Sequence, residues 1–292
     1  MKQTKKNTIR KAIITCGGYA TRFLPITKAI PKEMLPIADK PVIHYIVQEL
    51  KDAGITDILI LIGRGRETLQ NYFDRYPELE YALTNKKTQE QIDDIVNPFA
   101  ELNITYRRVA MPCGSADNIY HAKEFTGSDP FVVAYCDDIF FEERNKLRNN
   151  PSIELVKDFE LNKKECITVF PVPIENASNY GIVSRKIARS NVDESKGRMC
   201  AKCNFEVQSI IEKPKNPPSL FAFCGRFILT DKIYNLIQED RVIDDEVCLV
   251  KQLNKLAQNN NLRAVQTRCR RFDTGDAKGL FEANKYYFAN KN

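Results

Sequence analysis

Residues 11–36 read KAIITCGGYATRFLPITKAIPKEMLP, and the fold turns on this stretch. Ala12-Ile13-Ile14-Thr15 is a short apolar run with β-branched residues, which predicts a buried strand. Gly17-Gly18 follows, then Tyr19-Ala20-Thr21-Arg22. Adjacent glycines let the main chain approach a ligand closely, and successive N–H groups in such a turn form an anion-binding concavity. Arg22 adds a forked, permanently charged donor, Lys28 and Lys32 add ammonium groups, and Pro25, Pro31 and Pro36 stiffen the loop. The stretch is neither a G-x-G-x-x-G nor a Walker loop: its glycines are adjacent, and prolines block a helix after Arg22. On the residues alone it reads equally as a polyphosphate cradle or as a polar surface loop with incidental basic side chains.

Working outward, Pro41 to Gly54 places Val42, Ile43, Ile46, Val47 and Leu50 at helical spacing, with Pro41 suited to the first turn and Gly54 to the stop. Ile58-Leu59-Ile60-Leu61-Ile62 is a second buried strand. Strand, helix and strand at this spacing predict a βαβ unit with a parallel sheet. Residues 104–109 and 131–135 predict further strands, and the second delivers Cys136-Asp137-Asp138 at its C-terminal end. Ligands bind at that edge of open parallel sheets, and Mg²⁺ on phosphates takes one or two protein carboxylates. An Asp-built turn is the alternative. In the second half, residues 166–172, 205–211, 221–229 and 262–268 carry strand patterns. Residues 151–164, 231–238, 246–258 and 276–290 carry helical ones. Residues 193–202 predict a polar hairpin connection.

The 292 residues carry a net charge of +6, without a basic stripe interleaved with aromatics, so nucleic acid is not indicated and a small polyanion suits the charge as well. The purest apolar run, Ile58 to Ile62, is far too short to span a membrane. The basic N-terminus leads into a strand rather than a signal-peptide core, so the nine cysteines read as reduced cytoplasmic thiols. The C-x-x-C of Cys200 and Cys203 lacks the second pair a structural zinc site needs, and His44 and His121 read as packing or surface residues.

Gly18-Tyr19-Ala20-Thr21-Arg22-Phe23-Leu24-Pro25 through Lys28, with Pro31-Lys32-Glu33-Met34-Leu35-Pro36, resembles the signature loop of sugar-1-phosphate nucleotidyltransferases. The PKEMLP form is most similar to the bacterial UTP–glucose-1-phosphate uridylyltransferase branch, and the likeness runs over roughly residues 10 to 290. It implies a single α/β domain, Rossmann-like, with a mixed, largely parallel sheet flanked by helices and added β structure in the second half. Within residues 1–292, the nucleotide part would cover about 10–140, the sugar part about 150–275 and a closing helix about 276–290.

The resemblance also implies roles. Gly17, Gly18, Tyr19, Ala20, Thr21, Glu33, Val109, Gly114 and Asp138 would meet the nucleotide. Gly181, Glu212 and Lys213 would meet the sugar phosphate. Arg22, Lys32, Asp137, Lys213 and Asp273 would carry the transfer, with Mg²⁺ on Asp137 and Asp273. The substrates would be UTP and glucose 1-phosphate, in a cytoplasmic homo-oligomer, a dimer or tetramer; the alternatives are the same chemistry with another nucleotide such as dTTP or another sugar 1-phosphate, or a non-catalytic paralogue that binds a nucleotide or sugar nucleotide. Several positions depart from the family pattern: Ala20 replaces a glycine, Val109 a base-reading glutamine, Ala116 a glycine and Asp117 a histidine. The run Glu246-Val247-Cys248-Leu249-Val250-Lys251 also differs.

Overall fold

A computed structural model describes residues 9–110, 113–142, 149–186, 204–241 and 246–290. The predicted connection at 193–202, with Cys200 and Cys203, lies outside them. In the first half the strands are β1 (Lys11–Cys16), β2 (Pro36–Ile37), β3 (Lys40–Pro41), β4 (Asp57–Ile62), β5 (Asn103–Arg108), β6 (Phe131–Tyr135) and β7 (Asp138–Phe141). The second half adds β8 (Glu165–Pro171), β9 (Gly181–Arg185), β10 (Phe205–Glu212), β11 (Phe221–Leu229), β12 (Leu262–Gln266) and β13 (Arg270–Asp273).

Among the described residues, nine strands form one sheet in the order β5-β4-β1-β6-β11-β8-β12-β10-β9. β5, β4, β1 and β6 run parallel to their neighbours, β11 turns antiparallel, and the remainder is mixed. Parallel strands here are covered on both faces, which is why β1, β4 and β6 are nearly continuous apolar runs. Alternate residues enter different clusters. Ala12, Ile14, Ile58, Ile60 and Val132 pack with Ile43, Ile46 and Leu50 of the helix Val42–Asp52. Ile13, Leu59, Leu61, Phe131 and Val133 pack with Ile119, Leu249 and Leu253 on the opposite face.

The chain passes from β1 outward to β4 and β5, then returns to place β6 on the other side of β1. The strand order therefore reverses between β1 and β6. A crevice opens there at the carboxyl ends, where ligands bind in sheets of this kind. Both strands end at this point, in Cys16-Gly17 and Tyr135-Cys136-Asp137.

Two local features go beyond the sequence reading. The signature loop coils into three 3₁₀ turns, Thr21–Phe23, Ile26–Lys28 and Lys32–Met34, because its prolines deny the backbone bonds a longer helix needs. The residues after Asp137 continue as β7, which pairs antiparallel with β13.

His44 is buried in its helix, with Nδ1 2.8 Å from the Tyr72 hydroxyl and its ring 4.8 Å from that of Phe99. Burial first, and then Lys40, pulls its pKa from 6.5 down to about 4. The unfolded chain therefore takes up a proton at a pH where the folded chain does not, and stability falls as pH drops from 6.5 towards about 4. His44→Gln should remove this part of the acid-side loss. Urea midpoints of both chains across that window would check it, and an unchanged slope would count against the assignment.

Candidate active site

A pocket of about 190 Å³ occupies the β1–β6 crevice, lined by Thr15, Gly17, Gly18, Lys32, Ser115, Asn118, Tyr135, Cys136 and Asp137. Lys32, carried on the last 3₁₀ turn of the signature loop, donates to Asp137 Oδ2 at 2.6 Å. Burial opposes charge on that ammonium, but Cys136, Asp137 and Glu33 outweigh it and raise its pKa, so Lys32 stays protonated.

Asp273 reaches the site through β13. The β7–β13 register sets Asp273 opposite Asp138 and Phe272 opposite Ile139. Thr274 closes the junction, its N–H and hydroxyl donating to the Asp137 carbonyl at 2.7 and 3.0 Å. A Cβ at Gly275 would stand 2.9 Å from Asp273 Oδ1 and 3.3 Å from Asp137 Oδ2. Glycine thus keeps open a space faced by both carboxylates. Two carboxylates on either side of this glycine are hard oxygen donors of the kind that suits a divalent cation retaining other ligands. Two carboxylates distant in sequence meet because a two-stranded ribbon aligns them.

Asp138 stands otherwise. It is buried, accepts from the Gly225 N–H at 2.6 Å, and pairs with Arg271 Nη2 at 2.5 Å. Arg271 also reaches Asp273 Oδ2 at 3.3 Å and lies over the rings of Phe170 and Tyr180. One guanidinium therefore links the carboxylate ribbon to the strand pair holding Gly181. A Cβ at Gly181 would fall 2.2 Å from Phe223 Cε1 and 2.9 Å from Glu212 Oε2, so only glycine leaves room there. Lys213 is exposed, in a left-handed conformation (φ 45°) held by its N–H on the Tyr180 carbonyl at 3.0 Å.

The remaining sequence candidates divide into exposed and buried groups. Gly18, Tyr19, Thr21 and Arg22 are exposed on the signature loop, and Ala20 (φ 52°) turns the loop there. Glu33 is fully buried, with Oε2 3.5 Å from Arg66 Nε and Oε1 3.4 Å from the Cys136 sulfur. Burial raises its carboxyl pKa, against the pull of Arg66. Arg66 in turn donates to the Gly18 carbonyl at 2.7 Å, bracing the glycine turn from behind. Val109 is buried among Leu59, Leu61 and Ile119, so its side chain belongs to the core. Gly114 (φ 103°) abuts the main chain of Val247, whose N–H donates to Cys113 O at 2.8 Å.

Several site residues carried no sequence signal. Ser115, Asn118 and Tyr135 line the pocket, yet they sit in ordinary helical and strand patterns. Arg66 and Arg271 work through partners remote in sequence. No pattern of spacing announces such residues.

Comparison with known proteins places the chain in a family. The family model described as nucleotidyl transferase matches residues 11–290. The UTP–glucose-1-phosphate uridylyltransferase YngB of Bacillus subtilis (strain 168) is 35% identical over 282 residues, covering 96% of this chain and 89% of that protein. A crystal structure of apo UDP-glucose pyrophosphorylase superposes with a TM-score of 0.84 at 29% identity, covering 97% of this chain and 100% of the other. One of a UDP-glucose pyrophosphorylase complexed with UDP-glucose gives 0.78, also at 29% identity, covering 96% and 99%. With a family model spanning nearly the whole chain and a relative above 30% identity along almost all of it, this chain belongs to the nucleotidyl transferase family.

Proposed function

We propose that the chain joins UTP and glucose 1-phosphate to give UDP-glucose and pyrophosphate. The observation that carries this reading is the meeting of Lys32, Asp137 and Asp273 around the gap at Gly275, beside the glycine turn at the β1–β6 crevice. Its support in kind is the similarity to proteins named UTP–glucose-1-phosphate uridylyltransferase and to a structure holding UDP-glucose.

Both substrates are anions, so the reaction needs positioning and charge neutralisation more than covalent help from the protein. The glucose 1-phosphate oxygen attacks the α-phosphorus in line, and pyrophosphate leaves with the electrons of the bond to the bridging oxygen. Gly17 and Gly18 bring backbone N–H groups against the triphosphate. Arg22, exposed on the signature loop, holds the departing β,γ-phosphates, and Lys32 faces the reacting phosphate. Glu212 and Lys213 take a sugar hydroxyl and the incoming phosphate, with Gly181 leaving space for the ring. Asp137 and Asp273 would hold Mg²⁺, which supplies charge stabilisation at the α-phosphate. Glu33 and Asp138 act from behind the pocket, by setting Arg66 and the β7–β13 ribbon. With Val109 in the core, polar groups such as Asn118 are left to meet the base.

The same reading places the enzyme in the cytoplasm as a homo-oligomer acting on small molecules. Among the described residues, no helix is long and apolar enough to cross a membrane. Pyrophosphate release with Mg²⁺ and glucose 1-phosphate, offered UTP, dTTP, ATP, CTP and GTP in turn, tests the assignment. Release should be fastest with UTP. A different preferred triphosphate would keep the chemistry and overturn the substrate, and no release with any sugar 1-phosphate would overturn both.

A further inference from the structure

Beneath the proposed transfer site lie two thiols and a carboxylate that form no bond in the proposed reaction. Cys16 ends β1 and Cys136 follows β6, and the register aligns Thr15 with Tyr135, so both thiols leave neighbouring parallel strands at one level. The two sulfurs and a carboxylate oxygen of Glu33 lie within 4.8 Å of one another. Cys16 and Glu33 have no exposed surface, while Cys136 is 5% exposed and lines the pocket. Magnesium prefers hard oxygen ligands, so a pair of thiols has no part in holding it.

We infer that Cys16, Cys136 and Glu33 form a binding site for one thiophilic divalent cation such as Zn²⁺, separate from the Asp137–Asp273 pair. Zinc sits about 2.3 Å from thiolate sulfur and about 2.0–2.2 Å from carboxylate oxygen, which at a tetrahedral angle sets sulfur and oxygen about 3.5 Å apart. Cys136 Sγ and Glu33 Oε1 are 3.4 Å apart. Three protein ligands with a fourth position left for an exchangeable group is a familiar zinc arrangement, and Cys136 is the one of the three that also lines the pocket. The other carboxylate oxygen, Glu33 Oε2, is buried without a hydrogen bond and 3.5 Å from Arg66 Nε. Arg66 therefore orients the carboxylate from behind and leaves Oε1 turned to the thiols.

An ion bound there displaces the two thiol protons, so its charge is balanced by two thiolates and the Glu33 carboxylate, next to Asp137.

The test uses the full chain with Cys113, Cys200, Cys203 and Cys248 replaced by serine, kept reduced with a phosphine and titrated with Cd²⁺. Thiolate-to-metal charge-transfer absorbance should saturate at one ion per chain. It should be lost in Cys16→Ser and in Cys136→Ser, and Glu33→Gln should weaken binding by about tenfold or more. Unchanged uptake in both serine variants, or no saturable uptake in the parent, overturns the site. If a serine variant loses its far-ultraviolet circular dichroism, X-ray absorption of the Zn²⁺-loaded parent decides instead. Two sulfur ligands beside oxygen support the site, and a shell of nitrogen and oxygen alone overturns it. Cd²⁺ uptake requires no turnover, so its failure is distinguishable from failure of the proposed transfer reaction.

Discussion

Asp137→Asn should lower kcat for pyrophosphate release by about 100- to 1000-fold, while the chain keeps its fold. The side chain keeps its size but loses the charge that Lys32 Nζ meets at 2.6 Å and that a divalent cation would share with Asp273. An interaction made most strongly in the transition state costs kcat and kcat/KM together, so KM for glucose 1-phosphate should move little. Asp273→Asn should behave alike, and the double variant should lose far less than the product of the single losses, because both act on one site. Steady-state kinetics over a range of Mg²⁺ would measure this. A loss below about tenfold in Asp137→Asn would remove that residue from the chemistry.

The second large effect concerns a residue outside the pocket. Arg226→Met should cost about 3–5 kcal/mol of stability, read from guanidinium unfolding. Arg226 is fully buried in β11 and pairs in a fork with Glu49 of the helix Val42–Asp52, both N–O distances being 3.0 Å. Ser152 adds a hydroxyl to the same carboxylate at 2.5 Å. Removing the guanidinium leaves Glu49 charged, buried and short of partners, and that penalty is larger than the net worth of the intact pair. A double change, Arg226→Met with Glu49→Leu, should therefore recover much of the loss.

The same substitution should also lower activity in the chains that remain folded. Arg226 donates to the carbonyls of Tyr135 at 3.0 Å and Asp138 at 2.8 Å, the residues on either side of Cys136-Asp137. It holds the turn that aims Asp137. Full activity in folded Arg226→Met would show that the turn is held without it.

Local chemistry made much of the architecture legible. The apolar runs at Ala12–Thr15, Ile58–Ile62 and Phe131–Tyr135 are strands because parallel strands buried on both faces need no polar alternation. The helix Val42–Asp52 follows from spacing and from Pro41 at its start. The glycine pair, the basic loop and the two aspartates after a strand were visible as chemistry-bearing residues, with their roles supplied by family resemblance.

Other features depend on pairings that no local window contains. The β7–β13 ribbon brings Asp273 to Asp137 across more than a hundred residues, and only its register decides that Asp138 turns to Gly225 and Arg271 instead. Val109 lies in the core because β5 pairs with β4 and carries the chain past Ile62, where the Val109 N–H donates to the Ile62 carbonyl at 2.9 Å. Burial of Glu33 and the meeting of two thiols follow from how the loop folds under the sheet edge. By itself the sequence determined strands, helices and the kinds of group available, because these rest on neighbours a few residues apart. Which carboxylate faces the crevice, which is sealed beneath it and which arginine holds each in place were decided by tertiary structure alone, because distance in space and exclusion of water set a charged group's role.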